Sequence, residues 1–311
     1  MREIRRLYDR DILRNRGEVP KKLSNVLESD NYVINICLIL VYPLPQEKAH
    51  MKNLKKQLQQ GATLHGCWLN LGSAVTAEIV GLSGFDWVLI DLEHGAGTEK
   101  DVYHQLQALE HTPAAAVVRI ESTQRQRIHR ILDMGAEGIM CPRVSNTAEA
   151  AAVASGLHYP PDGTRGVAKM VRATAFGQNF QQYYQQAKEN IVGIVQIETT
   201  EVLDHLDEIA ALDGIDVLFI GPADLTMALG IFGQFDHPLF IDAVKATVNA
   251  ANKAGKATGI LFFNPAEYNR YRDMGIRMIA CGADATFVAE AARNMANTLQ
   301  TLRGSGKTGT L

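Results

Sequence analysis

Short apolar runs and longer amphipathic stretches alternate along the chain from His65 onward. Such a pattern predicts parallel strands joined by crossover helices. Eight rounds are present, with strands expected at residues 66–72, 86–92, 116–120, 138–144, 191–198, 216–222, 257–263 and 277–283. Most of these runs are apolar at consecutive positions, as strands covered on both faces must be. Eight of them close most simply into an α/β fold of the (β/α)8 TIM-barrel type. The competing doubly wound open sheet would want a glycine-rich phosphate loop after its first strand. The chain offers NLGSAVTAEIV there, without GxGxxG.

Helix signals agree with this order. Thr98 and Asp101 are spaced as a capping pair after the second strand, and the stretch after the fifth carries acids in its first turn. A glycine-rich, basic insert at residues 159–180 precedes the fifth strand, and long ordered inserts are often binding loops. The barrel is expected over residues 51–303, followed by a flexible tail at 304–311. From Met51 the sequence MKNLKKQLQQGATLHG reads as an ordinary amphipathic protein start. Residues 1–50 are therefore expected to be a dispensable N-terminal helical extension, disordered or upstream of the native start.

Composition narrows the class. Hydrophobic residues at 46% and charged residues at 21% exclude disordered, collagenous and coiled-coil chains. A net charge of -3 gives no electrostatic reason to expect nucleic acid or an anionic membrane as partner. The longest uncharged apolar run, residues 32–45, ends in prolines and is shorter than the about 20 residues a bilayer span needs. Cys37, Cys67, Cys141 and Cys281 are scattered without a CxxC spacing. They read as reduced, mostly buried side chains of a cytoplasmic protein, not as a zinc site or disulfide framework.

In a parallel barrel the loops at the carboxyl ends of the strands converge on one mouth, where chemistry is done. There the sequence places Asp91, Glu93 and His94 after the second strand, Arg119 at the third, Gln196 and Glu198 at the fifth, and Gly221, Pro222 and Asp224 at the sixth. The opposite strand ends begin with Gly, Ala or Ile, apart from Asp86 and Asp216. Asp224 also reads as a simple helix N-cap. Glu198 directly continues an apolar strand, and an unpaired buried carboxylate costs several kcal/mol, so a cation partner is expected. Two carboxylates on adjacent strands suit a hard divalent ion with open water positions, Mg²⁺ or Mn²⁺. His94 beside two acids is a candidate general base, with a structural histidine as the alternative. Arg119 needs compensation from either an ion pair or an anionic substrate.

DLEHG at residues 91–95, VVRI at 117–120, YPPDGTRGV at 159–167, VQIET at 195–199 and IGPADL at 220–225 together resemble the HpcH/HpaI aldolases. These are class II, metal-dependent pyruvate aldolases, and the likeness covers residues 51–302, with five motifs in order at strand ends. The resemblance implies reversible cleavage of a 4-hydroxy-2-oxo acid to pyruvate and an aldehyde through an enolate. It implies that Glu198 and Asp224 hold the metal, Mg²⁺ or Mn²⁺ with Co²⁺ as a further candidate, and that Gln196, Asp224 and the backbone at Ala223 bind the 2-oxo acid. His94 would be the base, acting through a water, with Asp133 raising its basicity; Arg119 would stabilise the enolate oxygen, and Trp68 would form pocket wall. A homo-oligomer, a hexamer, is implied, with the final helix packed on a partner. No expected strand contains the desolvated lysine of a Schiff-base aldolase, which favours metal over imine. Two other readings compete: decarboxylation of an oxaloacetate-type acid at the same site, and a barrel that binds a 2-oxo acid without catalysis.

Overall fold

The computed structural model describes residues 52–305, so the extension expected at 1–50 and residues 306–311 of the tail lie outside the described residues. Eight strands, β1 (Leu64–Leu69), β2 (Trp87–Asp91), β3 (Ala115–Arg119), β4 (Gly138–Cys141), β5 (Val192–Ile197), β6 (Val217–Ile220), β7 (Ala257–Phe262) and β8 (Met278–Ala283), form a closed barrel in sequence order. Every neighbouring pair is parallel, β8 closing on β1. The helices are α1 (Leu54–Gln59), α2 (Ala74–Gly81), α3 (Glu99–Leu109), α4 (Arg125–Asp133), α5 (Thr147–Leu157), α6 (Phe180–Asn190), α7 (Leu206–Ala210), α8 (Pro222–Ala228), α9 (Pro238–Lys253), α10 (Tyr268–Asp273) and α11 (Asp284–Ser305). Each strand overlaps its expected run. The expected capping pair forms at α3, Thr98 N–H donating to Asp101 Oδ2 at 2.8 Å. After β5 a 3₁₀ segment over Glu201–His205 precedes the short α7, where one longer helix was expected.

Strand residues alternate between two apolar environments, which explains their unbroken hydrophobicity. Val88 and Ile90 face the helical shell. Trp87 and Leu89 fill the barrel interior with Trp68, Val117, Ile194 and Phe219. Large rings are accommodated by glycines: a Cβ at Gly66 would lie 2.1 Å from the Trp87 ring, and one at Gly259 2.3 Å from Phe219.

The amino-end rim is stitched by acids. Asp86, Glu137 and Asp216 accept the backbone N–H of His65, Ala116 and Gly193 at 2.8, 3.0 and 2.9 Å, each tying the entry of one strand to its predecessor. This accounts for the two carboxylates that broke the sequence asymmetry. Helix α1 plugs that rim with Leu54 and Leu58, and its Lys55 pairs with Asp216 at 3.1 Å. Among the described residues no helix is long and apolar enough to cross a membrane.

The 159–180 insert is held to the outer wall. Arg172 donates to Met134 O at 2.8 Å and Leu106 O at 3.1 Å, at the carboxyl ends of α4 and α3. Helices of a parallel barrel run opposite to its strands, so these ends lie away from the mouth. The insert is thus not a loop over the site, as its length and composition had suggested.

Candidate active site

The turn after β2 is organised by Asp91. Its carboxylate ends the strand, fully removed from solvent, and Oδ1 accepts from the backbone N–H of Glu93 at 3.0 Å and of His94 at 3.3 Å. Oδ2 accepts from Asn70 Nδ2 at 2.8 Å. A Cβ at Gly95 would sit 2.1 Å from Asp91 O, so only glycine lets the chain fold back so tightly. The glycines after the acids are therefore part of how Glu93 and His94 are held.

Arg119, paired with Asp91 in the strand register, meets the same carboxylate with Nε at 2.8 Å and Nη2 at 2.7 Å. Its third nitrogen, Nη1, reaches Gln196 Oε1 at 3.4 Å and lies 2.9 Å from Glu93 Oε2. The Glu93 contact is an ion pair without hydrogen-bond alignment, because Oε2 finds no hydrogen-bond donor. Burial alone would lower the Arg119 pKa, but Asp91, Glu93 and Glu198 together hold it above the ordinary value. The guanidinium stands 5.9 Å from the Trp68 ring centroid, so Trp68 floors this end of the barrel.

Gln196 carries the connection onward, its Nε2 donating to Glu198 Oε2 at 3.1 Å. Glu198 Oε1 accepts from the backbone N–H of Arg143 at 2.6 Å. Arg143 adopts a positive φ of 52°, a conformation most side chains avoid, and thereby aims its amide at the carboxylate. Glu198 is only 3% exposed. Burial first, then the nearby Asp224 and Glu93 carboxylates, push its pKa up to about 7 against the pull of the Arg143 amide and Arg119.

Asp224 faces Glu198 across a polar cavity of about 550 Å³ that Arg143, Ser145 and Glu201 also line. It is not an N-cap: Gly221 caps α8, Pro222 begins it, and Asp224 sits in the first turn with no side-chain cap bond. Glu198 and Asp224 repel one another, and Glu198 is poorly hydrated; a dication between them would relieve both effects. A cluster of three or more His, Cys, Asp or Glu side chains is absent among the described residues, so such an ion would take two protein ligands and complete its shell with other oxygens. Mg²⁺ is commonly held this way, and the donor set fits.

Of the residues singled out in the sequence, Trp68, Arg119, Gln196, Glu198, Ala223, Asp224 and His94 lie at the carboxyl-end mouth. Ala223 is exposed in the first turn of α8. His94 is largely open to solvent, its Nε2 3.9 Å from Glu93 Oε2. Asp133 is the exception. It ends α4, away from the mouth, and its Oδ1 accepts from Arg165 Nη2 at 3.0 Å. Within the chain the carboxylate beside the imidazole is Glu93, not Asp133. The sequence had not singled out Asn70 or Arg143, whose contributions come through an amide side chain and a backbone N–H.

The sequence profile described as HpcH/HpaI aldolase/citrate lyase matches residues 64–291. A hydroxypyruvate/pyruvate aldolase of Agrobacterium fabrum is 38% identical over 268 residues, covering 86% of this chain and 96% of that protein. A 4-hydroxy-2-oxo-heptane-1,7-dioate aldolase of Salmonella arizonae is 38% identical over 247 residues, 79% of this chain and 94% of its own. Among solved structures, an HpcH/HpaI aldolase/citrate lyase family protein from Burkholderia cenocepacia J2315 superposes with a TM-score of 0.76 at 37% identity, covering 80% of this chain and 99% of that one.

Proposed function

This chain belongs to the HpcH/HpaI aldolase/citrate lyase family and is a carbon–carbon lyase, and from that premise we propose that it is a divalent-metal-dependent pyruvate aldolase. It would cleave a 4-hydroxy-2-oxo acid reversibly to pyruvate and an aldehyde. The observation that carries this reading is the buried relay from Asp91 through Arg119 and Gln196 to Glu198, which faces Asp224 across one cavity.

Glu198 and Asp224 would hold Mg²⁺, Mn²⁺ or Co²⁺, which supplies Lewis-acid polarisation of the bound 2-oxo acid. Nη1, which reaches Gln196 and Glu93 while Nε and Nη2 are committed to Asp91, is the edge of the Arg119 guanidinium that would meet the developing enolate oxygen. Gln196 and the Ala223 backbone seat the 2-oxo acid, and Trp68 limits how deep it can go. In cleavage His94 takes the proton of the 4-hydroxyl through a water, the C3–C4 bond breaks to free the aldehyde, its electrons pass into the enolate, and the proton held by His94 is returned to C3 to give pyruvate. In synthesis His94 removes a C3 proton, the enolate attacks the aldehyde carbon, and the resulting alkoxide takes that proton back as the 4-hydroxyl.

A homo-oligomer, which we take to be a hexamer, is also proposed. Val288, Met295 and Leu299 lie exposed along α11, and Val75 and Ile79 are exposed on α2, a helix that α11 contacts. Large apolar side chains left in water on two touching helices favour burial against a partner.

The test is pyruvate release from 4-hydroxy-2-oxoheptanedioate, followed with a coupled reductase. Activity should vanish in EDTA and in Arg119→Ala. Full retention in either case would refute the mechanism.

A further inference from the structure

A second cavity opens on the other side of α8. It is bounded by Pro222 and Ala223, the first turn of that helix, and encloses about 760 Å³. Phe235, Leu261, Phe262, Phe263 and Tyr271 supply its apolar walls. Small-molecule sites commonly have roughly this size, about 300–1,000 Å³.

Its one guanidinium is already committed to acids of this chain. Arg270 Nη1 pairs with Asp236 at 2.7 Å and Glu267 at 2.9 Å, and Nη2 donates to Phe235 O at 3.0 Å. Asn264 Oδ1 accepts from Ala266 N–H at 3.1 Å, and His237 Nδ1 from Leu239 N–H at 3.2 Å. Two lining acids against one lining base leave the cavity with a net negative charge, counting Asp236, Glu267 and Arg270. A ligand carboxylate would find no free cation there and two acids repelling it.

From this we infer that the cavity is the acceptor subsite and that it selects an uncharged aldehyde with an aromatic or branched aliphatic tail, not an aldehyde acid. The inference rests on the proposed aldolase reading, in which the 2-oxo acid sits against Ala223. Two cavities among the described residues adjoin that position through α8. The cavity toward β4 and β5 contains Glu198 and Asp224, the carboxylates assigned to the cation; the one toward β6 and β7 is apolar and shares Ala223 itself.

The experiment measures kcat/KM for condensation of pyruvate with phenylacetaldehyde, isovaleraldehyde, glyoxylate and succinic semialdehyde, using the full chain with Mg²⁺. Exchange of pyruvate C3 protons by the unaltered enzyme, which needs no acceptor, reports on the aldolase reading alone. Given exchange, the apolar aldehydes should exceed succinic semialdehyde at least ten-fold, and Phe263→Lys, at an exposed wall position, should reverse that order. Equal or better use of the acidic aldehydes overturns the inference, as does an unchanged ranking in Phe263→Lys or exchange with no condensation at all. A succinic semialdehyde preference that falls in Arg143→Ala would place the acceptor in the polar cavity instead. Absence of exchange overturns the aldolase reading and this inference with it.

Discussion

Arg119 and Asp91 meet edge to edge, Nε on Oδ1 at 2.8 Å and Nη2 on Oδ2 at 2.7 Å, with the guanidinium side chain 9% exposed and the carboxylate side chain 0%. The pair fixes the plane of the guanidinium and, through the Glu93 and His94 amides, the turn carrying the candidate base. Removing one member of a buried pair strands the other charge, so Asp91→Ala should cost about 3–5 kcal/mol. Thermal unfolding should show this as a Tm lower by about 10 °C. Asp91→Leu combined with Arg119→Met should recover most of the stability while remaining inactive. A double variant no more stable than the single one would show that the pair is not what holds this rim.

Gly221 tests the placement of Glu198. A Cβ there would lie 2.7 Å from Glu198 Oε2 and 3.1 Å from its Cβ, while the backbone φ of -97° suits alanine. Gly221→Ala should therefore displace the carboxylate without unfolding the barrel. Calorimetric titration with Mn²⁺ should show affinity weakened by about 10–100-fold, with Tm little changed. Unaltered affinity would move the metal away from Glu198.

His129 should make stability pH-dependent. Burial first, then Arg125 and Arg165, lower its pKa from 6.5 to about 4, and its Nδ1 accepts from Gly166 N–H in the insert. Because the folded pKa is depressed, the unfolded chain takes the proton first as pH falls. This group's contribution is complete above pH 6.5 and erodes down to about pH 4. Urea midpoints across that window should fall in the parent, and His129→Gln should flatten the slope.

The α11 stripe bears on assembly. Leu299→Asp places a charge on exposed apolar surface of the last helix. Light scattering after gel filtration should show a smaller particle than the parent, with the barrel still folded by circular dichroism. An unchanged mass would take this face out of the interface.

The fold was legible because every strand is covered on both faces, which makes its apolar run continuous and easy to count. The helix after β5 was less so, since periodicity does not show that its first residues wind as 3₁₀. Glu198 could be recognised as an acid ending an apolar strand. Its partner Arg143 could not, because it contributes a backbone amide aimed by a positive φ. Asp133, which the resemblance pairs with His94, ends α4 and within the chain accepts from Arg165, a placement that motif order along the sequence does not show. Asp86 and Asp216 looked anomalous until the rim showed them accepting amides from the preceding strands.

If Glu198 and Asp224 grip one dication within reach of Arg119, pyruvate loses a C3 proton at this site, and proton NMR of pyruvate in D₂O with the enzyme and Mg²⁺ reads that loss. The methyl signal should wash out, stop doing so in EDTA, and slow by about 10²-fold or more in Arg119→Ala and in Glu198→Ala. Exchange that continues undiminished in EDTA or in Glu198→Ala would mean that no dication held by Glu198 takes part.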